Sequence, residues 1–146
     1  MDVRAQRGAS GRGGPGRSGH PAADHALGVL HRDAALRARR AGFDIIYVYA
    51  GKLFGLPMYF LSRRFNTRTD EYGGSLENRA RLLKELIEDT KDAVGDTCAV
   101  PCRISVDELV GEEGIHAAEA QDIIGHLAEL PDLWDLTLSG WENDSQ

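Results

Sequence analysis

Phe65-Asn66-Thr67-Arg68-Thr69-Asp70-Glu71-Tyr72-Gly73-Gly74-Ser75-Leu76-Glu77-Asn78-Arg79-Ala80-Arg81 is the densest local signal in the chain. It starts as a polar loop crowded with Arg, Asp and Asn, passes through a Tyr-Gly-Gly turn and enters a helix. Two adjacent glycines open backbone angles closed to other residues, so a sharp turn is expected there. Ser75 stands at the N-cap position, where its hydroxyl accepts an orphan N–H of the first helical turn. Glu77 opposes the positive end of the helix dipole. By local chemistry alone, the stretch is a well-capped surface turn.

Downstream, Leu76, Ala80, Leu83 and Ile87 form one apolar stripe, with Leu86 and Val94 beside it and Lys84, Glu88 and Asp92 outside, which predicts a helix ending at Gly95. Cys98-Ala99-Val100-Pro101-Cys102-Arg103-Ile104-Ser105-Val106 reads as a short buried strand weakened by Pro101. Arg103 inside that run must find an anion or a set of acceptors, because an unpaired buried charge is prohibitively costly; an intramolecular ion pair is the plain solution. Glu112 to Gly114 turn the chain into a helix with Ala117, Ala120, Ile124, Leu127 and Ala128 at helical intervals and Pro131 beyond its end. Leu133-Trp134-Asp135-Leu136-Thr137-Leu138 follows as a third strand, and the last residues read as a loop.

Upstream, residues 50–69 form a long connection with no clear period, containing Gly51, Gly55 and Pro57; loops after strands are where sites are usually built. Before it, Phe43-Asp44-Ile45-Ile46-Tyr47-Val48-Tyr49 is too continuous for a half-exposed strand and predicts one buried on both faces, as in a parallel sheet. Ala34, Ala35, Leu36 and Ala38 with their arginines predict a helix from Asp33, closed by Gly42. Residues 1–22 interleave Arg4, Arg7, Arg12 and Arg17 with six glycines and have no apolar periodicity. They are expected to be a disordered tail, with an irregular lead-in to residue 32, or to reflect a start assigned upstream of or out of frame with the coding segment.

The repeating helix–strand order predicts an α/β fold with parallel strands over residues 33–146. A doubly wound sheet and a (β/α)8 TIM barrel both satisfy that order. No G-x-G-x-x-G follows a strand, which removes the main support for the first. A whole barrel needs about 250 residues, so 146 residues with three strands are at most part of one. The net charge of −6 argues against nucleic-acid and membrane-surface roles, and no apolar run approaches the roughly 18 residues of a membrane span. Cys98 and Cys102 have no second pair to complete a metal site, and read as buried free thiols of a cytoplasmic protein.

Gly42-Phe43-Asp44-Ile45-Ile46-Tyr47-Val48-Tyr49, the motif N-x-R-x-D-x-Y-G-G-S-x-x-N-R-x-R from Asn66 to Arg81, Arg103, and Trp134-Asp135 with Trp141 resemble the old yellow enzyme (NADH:flavin oxidoreductase) family. Within it the nearest likeness is to the trimethylamine dehydrogenase-like branch. The resemblance implies a flavin mononucleotide (FMN) barrel, represented here by about its fourth to sixth strands, and hydride transfer between the flavin and an amine or an activated alkene. Arg103 matches the arginine at the pyrimidine side of the flavin, where a cation stabilises negative charge near N1. Tyr49 and Asp144 match two members of a Tyr-His-Asp set beside the flavin. Trp141 matches an aromatic wall for an alkylammonium substrate, for which indole is the best cation–π acceptor.

Lys52 stands where that set has histidine, so the set reads Tyr49-Lys52-Asp144. A charged lysine cannot accept a proton and repels a cationic amine, but it can pair with Asp144. The cysteine cluster that holds the branch's iron–sulfur centre is absent from this sequence. The competing expectation is a catalytically inactive remnant or interaction module that binds no flavin on its own. Three strands with open edges then call for a complementing chain or a second copy to cover them.

Overall fold

The computed structural model describes residues 21–52 and 55–138, with side chains from residue 26 onward. Of residues 1–22, expected to form the disordered basic tail, 1–20 lie outside the described residues and Pro21 and Ala22 open a helix. Helix α1 (Pro21–Arg40) starts well before Asp33, which corrects the irregular lead-in expected up to residue 32. The cause is tertiary. Gly28 weakens local helix preference there, but Leu27 packs on the core and Arg32 donates to the Asp89 carbonyl at 3.2 Å, so packing overrides propensity. Past Arg40, the Gly42 and Phe43 amides return to the carbonyls of Arg39 and Ala38, closing the helix as expected.

Strand β1 (Val48–Ala50) is shorter than the apolar run that predicts it, and is covered on one face only. Ile46, Val48 and Ala50 are buried, whereas Phe43, Ile45, Tyr47 and Tyr49 are exposed. Burial on both faces is therefore corrected: among the described residues the helices pack on one side of the sheet and the other side is open. The connection after β1 is also more ordered than its sequence suggests. It contains helix α2 (Leu56–Leu61), with Pro57 in the first turn and Met58 and Leu61 fully buried.

The motif that follows is a hydrogen-bonded brace. Asn66 donates Nδ2 to the carbonyls of Phe60 and Tyr72, at 2.6 and 2.7 Å. Arg68 grips Asp70 with two bonds, at 2.9 and 2.6 Å, and lies over the rings of Phe60 and Tyr72. The hydrogen bond from Arg68 is the main reason the Asp70 carboxyl titrates below its ordinary range. A Cβ at Gly73 would come within 2.1 Å of the Arg68 carbonyl oxygen, and Gly74 sits at φ +80°, so both glycines are required. Helix α3 (Leu76–Val94) then starts as expected, with the Asn78 amide donating to the Ser75 hydroxyl at 3.2 Å. Its stripe of Ala80, Leu83, Leu86, Ile87 and Val94 is fully buried or nearly so.

Strand β2 (Pro101–Asp107) has Pro101 at its first position, where a missing donor does least harm. Helix α4 (Ala117–His126) buries Ala120 and Ile123, with Leu127 beyond, rather than the expected stripe through Ala117 and Ala128. The face is turned because Glu119 is drawn inward by an ion pair with Arg79 of α3. Strand β3 (Leu133–Leu138) completes a parallel sheet in the order β1-β2-β3. Both cysteines are buried and free, as expected, and burial pushes the Cys102 thiol up to about 12. No described helix is long and apolar enough to cross a membrane.

Candidate functional site

Tyr49, Arg103 and Asp135 are register partners across the three strands. Successive strand residues point to opposite faces, so this row shares the face that no described helix covers. Arg103, expected to be buried, is exposed; its neighbours Cys102 and Ile104 take the buried face. Its anion is Asp135, reached through Nε at 2.8 Å and Nη2 at 2.6 Å. The same carboxylate raises the Arg103 pKa, first by hydrogen bonding and then by charge. Tyr47 adds an aromatic face 5.8 Å from the guanidinium carbon.

Gly51 makes the row tight. A Cβ there would stand 3.1 Å from the Thr137 methyl, 3.3 Å from the Arg103 stem and 3.4 Å from the Tyr49 ring. These three side chains therefore converge over one glycine. Lys52 comes next with φ +44°, a left-handed conformation rare for a residue with a side chain. Further along the same loop, a Cβ at Gly55 would approach the Tyr49 carbonyl oxygen to 2.9 Å, so α2 begins directly against the strand end. The structure thus brings Tyr49 and Arg103 together and puts Lys52 on the turn that follows. Trp141 and Asp144 lie outside the described residues.

Asp135, Tyr47, Gly51 and Thr137 are the parts of this site that sequence reasoning leaves without a role. The period-two alternation of β3 places Asp135 and Thr137 on one face, but the register that puts Asp135 opposite Arg103 is a property of the folded sheet. No group of three or more potential metal ligands occurs among the described residues. The donor set suits an aromatic ring system that gains negative charge: a guanidinium that stays protonated, pinned on one edge by Asp135, on an open face flanked by phenols. The residues present therefore fit the pyrimidine side of a flavin.

Several known proteins are similar to this chain. The chain is 40% identical over 117 residues to dimethylamine dehydrogenase of Hyphomicrobium sp., covering 77% of this chain and 16% of that protein. It is 34% identical to an NADPH dehydrogenase of Clostridium acetobutylicum, covering 90% of this chain and 44% of the relative. Among solved structures, histamine dehydrogenase from Rhizobium sp. 4-9 superposes with a TM-score of 0.81 at 47% identity, over 87% of this chain and 18% of the other. Morphinone reductase gives 0.63 at 34% identity, over 77% and 30%. These neighbours are TIM-barrel flavoenzymes, and the three strands with their helices are a sector of such a barrel, about its fourth to sixth strands. The chain spans less than half the length of each of these relatives. Residues 30–143 match the NADH:flavin oxidoreductase / NADH oxidase family, and the chain belongs to that family.

Proposed function

We propose that this chain carries part of the active site of an FMN-dependent oxidoreductase that moves a hydride between the flavin and an amine or an activated alkene. FMN, the cofactor of the family, supplies the two-electron chemistry when bound. The observation that carries the reading is the Tyr49–Arg103–Asp135 row on the open face of the sheet.

Arg103 holds a fixed positive charge toward the pyrimidine edge. Asp135 keeps the guanidinium from swinging away, so little reorganisation is needed when charge develops. Tyr49 offers a phenol beside it that orients substrate or handles a proton at its oxygen. Trp141 forms a wall for the substrate and Asp144 an ionic partner. A charged Lys52 stands where a histidine would accept a proton and could pair with Asp144, which disfavours a cationic amine relative to a neutral alkene.

A second reading has its own support. Tyr47 is 45% exposed, Leu136 56% and Leu138 60%, so the sheet offers uncovered apolar surface that a complementing chain would bury. In that reading the chain binds no flavin until it is complemented. The experiment is to mix the purified chain with FMN, then add an amine or a reduced nicotinamide. Bleaching of the visible flavin band supports the first reading; an unperturbed flavin spectrum contradicts it and favours the second. With the remaining barrel supplied, Lys52→His is expected to raise amine turnover, and an unchanged or lower rate refutes the role given to Lys52.

A further inference from the structure

Glu108, the first residue after β2, is 1% exposed and takes no part in the row described above. Its Oε2 accepts from the Ser62 hydroxyl at 2.7 Å and from the Ile115 amide at 2.6 Å. The Glu108 amide in turn donates to the Ile115 carbonyl at 2.9 Å, so the loop between them is pinched shut at its base by two opposed bonds. Gly114 fits there because it lacks a side chain: a Cβ would lie 2.9 Å from Oε2 and 2.5 Å from a Val110 methyl. Within the loop, Leu109 is held at φ +55°, a conformation that needs its surroundings to impose it. Asp107, Leu109, Gly111, Glu112 and His116 line a concavity of about 520 Å³ on this loop.

Ser62 is the C-cap of α2, and α2 starts against the Tyr49 carbonyl at Gly55. One carboxylate therefore joins the segment after β1, which carries Tyr49, to the segment after β2, which carries Arg103. The other oxygen, Oε1, is the single buried side-chain polar atom without a hydrogen-bond partner among the described residues. A buried carboxylate oxygen without a protein partner is unfavourable, and an apolar side chain of similar size would avoid that cost.

We infer that Glu108 is a positioning residue, a buried latch that ties the loop after β2 to the helix after β1 and so fixes Tyr49 relative to Arg103. Its consequence for catalysis rests on the flavin-oxidoreductase reading; the latch itself does not.

Three variants of the full chain test it. Glu108→Leu removes both acceptors, Ser62→Ala removes one donor and leaves the core intact, and Glu108→Gln keeps a carbonyl oxygen for both donors. Amide hydrogen exchange compares residues 108–116 with α3. Fluorine NMR of the chain labelled with 3-fluorotyrosine at its four tyrosines reads Tyr49, assigned with Tyr49→Phe. In Glu108→Leu and Ser62→Ala, exchange at Ile115 and its neighbours is expected to speed up roughly tenfold while α3 keeps its protection, and the Tyr49 resonance shifts. Glu108→Gln is expected to restore both signals.

Unchanged loop protection in Ser62→Ala overturns the latch, as does loosening spread evenly over α3. A loosened loop with an unmoved Tyr49 signal overturns the positioning role. Glu108→Gln behaving like Glu108→Leu contradicts the assignment to an acceptor oxygen. No readout uses flavin, so this inference and the proposed function can fail separately.

Discussion

Arg79 shows how one side chain can hold several segments. It is 4% exposed and donates to the Leu61 and Gly74 carbonyls and to Glu119, which is 5% exposed and also takes a bond from Arg63 at 3.2 Å. One guanidinium thus joins the end of α2, the Gly-Gly turn, α3 and α4. Removing Arg79 leaves the buried Glu119 with only the half-exposed Arg63 as a cationic partner and strips the Leu61 and Gly74 carbonyls of their donor. Arg79→Met is expected to lower stability by about 3 kcal/mol, read from denaturant unfolding, and a loss below about 1 kcal/mol contradicts that account. The motif around Arg79 was legible in the sequence as a capped turn, and as a family signature. Its partner Glu119, far along the chain, was not, because nothing local marks an exposed-looking helix glutamate as buried.

At the scale of elements, α3 is the best-read part of the molecule: its N-cap, its stripe and its end at Gly95 follow from local chemistry. α1 is the opposite case, because its contacts with α3 rather than its local sequence hold it. That contact includes a titratable group. His31 of α1 hydrogen-bonds Thr90 through Nδ1 at 3.2 Å, and Thr90 commits its own proton to the Leu86 carbonyl, so Nδ1 carries the proton. Burial holds the His31 pKa below 6.5, with the Asp89 charge opposing the shift; Arg32 lies nearby, paired to Asp92 at 2.7 Å. Below pH 6.5 the unfolded chain takes up a proton that the folded chain resists. Stability therefore falls as pH drops from 6.5 toward the lowered folded value, with a slope of at most about 1.4 kcal/mol per pH unit from this group. Unfolding curves at pH 7.5 and 5.5 for wild type and His31→Gln measure it: the variant is expected to lose less stability on acidification, and equal losses contradict the assignment.

For the whole molecule, the parallel order of the strands was readable from the helix–strand alternation, but the burial of each face was not. A continuous apolar run such as 43–49 suits a strand covered on both sides, and the described residues supply helices for one side only. Arg103 follows the same logic. In the linear sequence it sits inside a hydrophobic run; in the sheet it stands on the open face with Tyr49 and Asp135. That placement turns an apparent burial problem into an exposed cation held by Asp135, the cation that the proposed function sets against the flavin.

The most direct test is a titration of the chain with FMN, followed by flavin fluorescence, for wild type and Arg103→Met. The substitution keeps most of the stem and removes the charge; because Arg103 is exposed, the unfolding midpoint is expected to stay unchanged. Wild type is expected to quench the flavin at stoichiometric FMN, and Arg103→Met to bind roughly tenfold or more weakly, the cost of a lost charge-assisted contact. Identical titrations for the two proteins, or no quenching by the wild-type chain, would contradict the account.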